Sequence, residues 1–167
     1  AKELGPIIDK AQIRHALCDF HLVTEVQSAA QQCPTLQTVR YFNDDRADSL
    51  DAAMARNSPV FANADTASID TCIIAFTSGT TGIPKATMHF HRDVMAVCAC
   101  WPPHVLRATA DDVFMGSPPL AFTFGLGGLV LFPLSVGAST VLLEKAGPPQ
   151  LLEAIQTFGA TVLFTAP

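Results

Sequence analysis

Apolar and polar positions alternate between two textures along the 167 residues of the chain. Short runs rich in β-branched residues predict strands at 13–18 (IRHALC), 38–42 (TVRYF), 72–78 (CIIAFTS), 113–116, 139–144 (STVLLE) and 160–165 (ATVLFT). Several of these lack the polar alternation of a strand with one wet face, as expected for parallel strands buried on both sides. The first run could equally extend the helix before it. Between the strands, helical spacing covers 4–12, 22–32, 50–55, 89–101, 124–134 and 148–158. The fourth segment meets Pro102 and Pro103, which predicts a stop, because proline has no N–H to continue the helical ladder. The last starts on two prolines and ends before Gly159, the chemistry of a helix start and of a C-terminal cap. This alternation predicts an α/β fold, a mostly parallel sheet with flanking helices. Residues 43–68 are the most polar stretch and read as a long excursion between two strands.

Composition narrows the picture. Hydrophobic residues make up 49% of the chain and charged residues 15%, which suits a packed interior and argues against disorder. The length allows one substantial core, so one domain or one lobe of something larger is expected. The net charge is -5, and the ten Lys and Arg are scattered, so no electrostatic footprint for nucleic acid is present. The longest apolar stretch, 120–138, is interrupted by four glycines and a proline; it reads as a buried glycine-rich helix flanked by loops rather than a membrane span. The five cysteines form no CxxC pair and three lie in apolar runs, which points to a reduced, cytoplasmic protein. The chain starts at Ala1 rather than Met and stops directly after an apolar run, so a piece of a longer protein is expected.

Some titratable residues suggest chemistry that their setting does not support. His89 and His91 are two apart, which on a helix turns them to different faces, and no Cys or carboxylate completes a zinc set. The expected metal-ligand count is therefore none. Asp111 and Asp112 precede a strand and read as turn chemistry rather than paired acids.

The stretch 77–85, TSGTTGIPK, is different. It holds two glycines, four hydroxyls, one proline and one lysine, directly after the apolar run TCIIAF. Glycines let backbone approach a ligand closely, N–H groups and hydroxyls supply donors, a lysine adds charge, and a helix N-terminus after the loop would favour an anion. An ordinary polar turn is the competing reading. The GxxxxGK[ST] loop does not fit, since Pro84 stands where the second glycine is needed and Ala86 where a magnesium-binding hydroxyl is needed. The dinucleotide GxGxxG pattern fails too, for Gly79 and Gly82 have no third partner.

The string closely resembles the phosphate-binding signature of the adenylate-forming superfamily, [ST]-S-G-[ST]-T-G-x-P-K-G. Thr77, Ser78, Gly79, Thr80, Thr81, Gly82, Pro84 and Lys85 match, and Ala86 departs from the usual Gly. The resemblance runs the length of the chain: MHFHRDV after the loop, then PPLAFTFGLGG, similar to the P-L-x-[HF]-x-x-G segment of the acyl pocket, then FPLSVGASTVLLE and ATVLFTAP. The wording of KELGPIIDKAQIRHALCD and FTFGLGGLVLFPLSVGAS is most similar to the benzoate and 2-aminobenzoate CoA ligase branch.

This resemblance implies an ATP-dependent carboxylate–CoA ligase, with ATP, Mg2+ and coenzyme A as cosubstrates and cofactor and a small aromatic carboxylic acid as the acyl donor. It assigns Thr77, Ser78, Gly79, Thr80, Thr81, Gly82 and Lys85 to the ATP phosphates. It assigns Phe122, Thr123, Phe124 and Gly125 to the acyl pocket, although from the residues alone an aromatic at Phe122 reads as core. The family's adenine-binding T-E segment, its T-G-D aspartate and its C-terminal catalytic lysine have no counterpart in these residues. The chain is thus expected to be part of the large N-terminal domain (1–167), with no catalytic residue of its own and no turnover alone. An isolated lobe that exposes apolar surface would self-associate. A non-catalytic nucleotide-binding module, or an adenylation domain of another carboxylate-activating enzyme, is the alternative.

Overall fold

The structure, a computed structural model, describes residues 4–77 and 85–166. The chain divides into two compact units, Ala1–Thr66 with Phe76–Thr87 and Ala67–Ala75 with Met88–Pro167.

In the first unit, helix α1 (Leu4–Ala11) leads to strand β1 (His15–Asp19), a 3-10 turn (Phe20–Leu22) and helix α2 (Val23–Ala30), then to strand β2 (Thr38–Phe42) and helix α3 (Leu50–Arg56). β1 and β2 pair in parallel from His15 opposite Thr38 to Asp19 opposite Phe42. Ile8, Ala29 and Cys33 are buried together, with Leu4, Ile13 and Leu36 packed around them. Helix α3 falls inside the polar excursion; buried Ser49 caps it, its Oγ accepting the Ala52 N–H at 3.1 Å. After β2, Arg46 pairs with Asp44 at 2.7 Å and lies over the rings of Phe20 and Tyr41, at 4.9 and 5.8 Å. The guanidinium holds the Asp44 carboxyl below its ordinary range.

Strands β3 (Thr71–Thr77) and β4 (Lys85–Phe90) are neighbours in a two-stranded sheet. β4 corrects the expectation of a loop running straight into a helix. Pairing with β3 holds 85–90 extended, and the helix waits until the Asp93 carboxylate can accept the Phe90 N–H, at 2.9 Å. That bond sets the start of helix α4 (His91–Trp101), so His89 is a strand residue rather than a helical one.

The second unit is built on three parallel strands, β5 (Val113–Gly116), β6 (Ser139–Val141) and β7 (Val162–Phe164), in the order β6-β5-β7. The expected strands 139–144 and 160–165 shrink to three residues each because their shared partner β5 offers only four. Helix α4 does not stop at the two prolines. It continues as a π-helical turn, Pro102–Leu106, closed by the Arg107 N–H on the Pro102 carbonyl, which asks no hydrogen bond of either proline nitrogen. Arg107 ends it in the left-handed region, φ +57°.

The glycine-rich stretch forms helix α5 (Thr123–Leu126), a π-helical turn (Gly127–Leu131) and helix α6 (Phe132–Val136) in one continuous run. It packs on one face of the sheet, where Phe114, Leu129 and Phe164 are buried beside Trp101 and Phe132. Helix α7 (Pro148–Phe158) covers the other face with Leu151 and Ala154 against Met115. Its expected boundaries hold, with Gly159 in the left-handed cap at φ +63°.

Gly128 lies where the run meets Phe164: a Cβ there would stand 2.6 Å from the Cγ and Cδ1 of that ring. Gly128→Ala is expected to cost about 1–3 kcal/mol, seen as a drop of several degrees in the thermal midpoint. Asp112 marks the entry to β5. Its carboxylate accepts the Thr109 N–H at 2.7 Å and the Thr161 hydroxyl at 2.8 Å, while Thr161 Oγ1 accepts the Val113 N–H at 3.0 Å. These bonds, the Thr109 amide first, hold the Asp112 carboxyl below its ordinary range. A lowered carboxyl stabilises the fold above its unfolded pKa, about 4, and loses that contribution as pH falls through the folded value. Asp112→Asn should therefore lower the midpoint at pH 7 and flatten its decline below about pH 4; equal acid slopes for the two proteins would refute the assignment.

Candidate functional site

The glycine- and hydroxyl-rich loop joins two paired strands. Thr77 is the last residue of β3 and Lys85 the first of β4, and both are exposed. Ser78, Gly79, Thr80, Thr81 and Gly82 lie outside the described residues. The helix N-terminus expected directly after the loop is replaced by β4. The next helix begins at His91, and its first turn carries the acidic Asp93.

A second feature belongs to the second unit. A cavity of about 270 Å³ is lined chiefly by apolar side chains: Ile73 of β3, Val94 and Val97 of α4, and Leu126, Leu131 and Phe132 of the glycine-rich run. Its polar lining comes from His89, Asp93 and Thr123. Val94 and Val97 stand three apart on α4, so one helix face supplies both. Gly127 also lines it, where a bare backbone leaves room that a side chain would take. The sulfur of buried Cys98 donates to the Leu131 carbonyl at 3.7 Å and ties α4 to the π-helical turn that forms the opposite wall.

Of the residues assigned to the acyl pocket, Thr123 lines this cavity. Phe122, just before α5, is 64% exposed, and Phe124 is 47% exposed with its ring edge-on to Phe164 at 5.7 Å. Neither Phe is among the residues lining the cavity. Gly125 is buried, and a Cβ on it would stand 2.2 Å from the Pro119 carbonyl oxygen and 2.7 Å from that of Pro118. The sharp approach of Pro118 and Pro119 to the start of α5 is thus possible only with glycine at 125.

Sequence reasoning missed Ile73, Val94 and Val97 as lining residues. Their apolar character is visible, but it reads equally as core. Asp93 carried a faint signal, an acidic residue three positions into a helix. Among the described residues no group of three His, Cys, Asp or Glu is placed to hold a metal ion, and no helix is long and apolar enough to cross a membrane.

The whole chain, residues 1–167, matches the family model described as AMP-binding enzyme. The benzoate–CoA ligase of Thauera aromatica is 33% identical over 135 residues, which are 80% of this chain and 26% of that protein. The anthranilate CoA ligase AuaEII, solved in complex with anthranoyl-AMP, superposes with a TM-score of 0.88 at 26% identity, over 97% of this chain and 32% of that one. ATP-bound MatB from Rhodopseudomonas palustris gives a TM-score of 0.78 at 30% identity, over 97% and 31%. The chain therefore spans about a third or less of the length of each of these proteins.

Gly125→Ala should push α5 away from Pro119 and distort the cavity wall at Thr123. The expected result is a loss of about 1–3 kcal/mol with changed amide shifts at Thr123 and Leu126; a variant of unchanged midpoint and spectrum would show that this approach relaxes freely.

Proposed function

Because the chain belongs to the AMP-binding enzyme family, we propose that it is part of an ATP-dependent carboxylate–CoA ligase acting on an aromatic acid. The observation that carries this reading is the string TSGTTGIPK, with its first residue ending β3 and its last opening β4. The similarity to a benzoate–CoA ligase, to a structure holding anthranoyl-AMP and to another holding ATP supports it.

In this reading a carboxylate oxygen of the acid attacks the α-phosphorus of ATP, and the bond to the bridging oxygen breaks to release pyrophosphate. The thiol of coenzyme A then attacks the acyl carbon of the adenylate, loses its proton and displaces AMP. Both steps rest on positioning and charge stabilisation. Thr77, Ser78, Gly79, Thr80, Thr81 and Gly82 surround the β- and γ-phosphates with amide and hydroxyl donors, and Lys85 adds a positive charge. Magnesium enters with the nucleotide as Mg–ATP. The organic part of the acid occupies the apolar cavity, with Thr123 on its wall and Phe122, Phe124 and Gly125 shaping the approach to it. The enzyme works in the cytoplasm on small molecules, with no membrane or nucleic-acid partner. Exposed apolar side chains such as Leu134 (70%) and Leu142 (55%) favour self-association.

The test is pyrophosphate exchange into ATP by the protein that carries this chain, with benzoate or 2-aminobenzoate as the acid. Exchange that depends on the acid supports the ligase reading, whereas ATP binding without exchange supports the non-catalytic module. Lys85→Ala is expected to raise the half-saturating ATP concentration about tenfold, roughly 1.4 kcal/mol. An unchanged ATP dependence would remove Lys85 from the phosphate site.

A further inference from the structure

The cavity of the second unit is lined mostly by apolar side chains, and the anionic side chain among its lining residues is Asp93. Oδ2 of Asp93 is engaged by the Phe90 N–H at 2.9 Å, which pins the carboxylate at the first turn of α4. Oδ1 forms an ion pair with Arg92 Nε at 3.8 Å, too long for a hydrogen bond and open to solvent on both sides. The Arg92 guanidinium lies 5.2 Å over the Phe90 ring, and Arg92 is not among the residues that line the cavity. His89 and Thr123 complete the polar lining.

A half-exposed carboxylate in the lining of an apolar cavity rewards a ligand that brings a donor to it, since hydrogen bonds to a charged acceptor are stronger than neutral ones. It penalises a ligand that brings a second negative charge. An unsubstituted ring fills the apolar part and leaves Asp93 solvated. We propose that Asp93 is a specificity-determining residue: it selects aromatic acids whose ring carries a neutral hydrogen-bond donor, hydroxyl or amino, over unsubstituted rings, and rejects rings carrying a second carboxylate. The assignment of the cavity to the acid rests on the ligase reading given above. The preference of the cavity for ring substituents does not, and the two can be tested apart.

The first measurement uses the 167-residue chain and three ring probes without the reacting carboxylate: toluene, 4-cresol and 4-toluidine. Ligand-detected NMR titration should give 4-cresol and 4-toluidine roughly five- to tenfold tighter binding than toluene. Asp93→Asn keeps an oxygen to accept the Phe90 N–H while removing the charge. It should shrink the cresol-to-toluene ratio at least threefold and relieve the rejection of 4-toluate as a probe. A purely structural role for Asp93 would instead weaken all probes alike and leave the ratio unmoved, and that result overturns the proposal. So does the absence of binding by any probe, or equal binding of cresol and toluene. The second measurement compares acid-dependent pyrophosphate exchange with benzoate, 4-hydroxybenzoate, 4-aminobenzoate and terephthalate in the protein that carries this chain. The ratio of kcat/KM for 4-hydroxybenzoate over benzoate should fall in Asp93→Asn, and the terephthalate ratio should rise. If no acid supports exchange while the probe ratios hold, the ligase reading fails and the role of Asp93 in the cavity stands.

Discussion

Phe114 and Met115 are adjacent in β5 and both have no solvent exposure. Successive side chains of a strand point to opposite faces, so β5 must be covered from both sides at once. On one side the cover is the glycine-rich run, through Leu129, beside Phe164 of β7; on the other it is α7, through Leu151 and Ala154. The rest of the second unit follows from this double demand. Crossover helices are needed on both faces, so the order β6-β5-β7 places β5 in the middle, with one connection on each side. The rings of Trp101, Phe114, Phe124 and Phe132 all lie within 5.4–6.2 Å of a neighbouring ring in one cluster around Phe164. The cavity wall is thus built directly on the hydrophobic core.

The polar contacts of the first unit have a different character. Arg46 is satisfied by Asp44 and stacked on Phe20 and Tyr41, and Asp19 gathers the His21 backbone, the His21 ring and the Asn43 amide at 2.7–2.9 Å. These bonds join the two loops that leave the carboxyl ends of β1 and β2.

What was legible in the sequence depended on how local its cause was. α7 is bounded by prolines at its start and Gly159 at its end, and both boundaries stand as read; β2 and β5 do as well. The π-helical turn after Trp101 was hidden because proline chemistry argues for a stop, and only the Arg107 N–H returning to the Pro102 carbonyl shows otherwise. β4 was hidden because its extended form depends on β3 across a loop, a non-local pairing that KATMHF alone does not announce. The site divides similarly. The loop was visible as a string of specified residues, and Thr123 came from a resemblance. Val94 and Val97 have no mark that separates a cavity wall from an ordinary core face, and Asp93 is set apart only by lining the same cavity.

The joining of β3 to β4 through residues 78–84 has one consequence for how that segment can vary. A strand has a period of two, so the parity of a residue decides which face its side chain takes. Lys85 is the first residue of its strand, with Thr77 the last of the other. Inserting or deleting a single residue on the β4 side of the loop would carry Lys85 to the opposite face unless the pairing register absorbed it. In such a connection the count of residues decides which face Lys85 takes. A substitution within β4, such as one at Ala86, leaves that count intact.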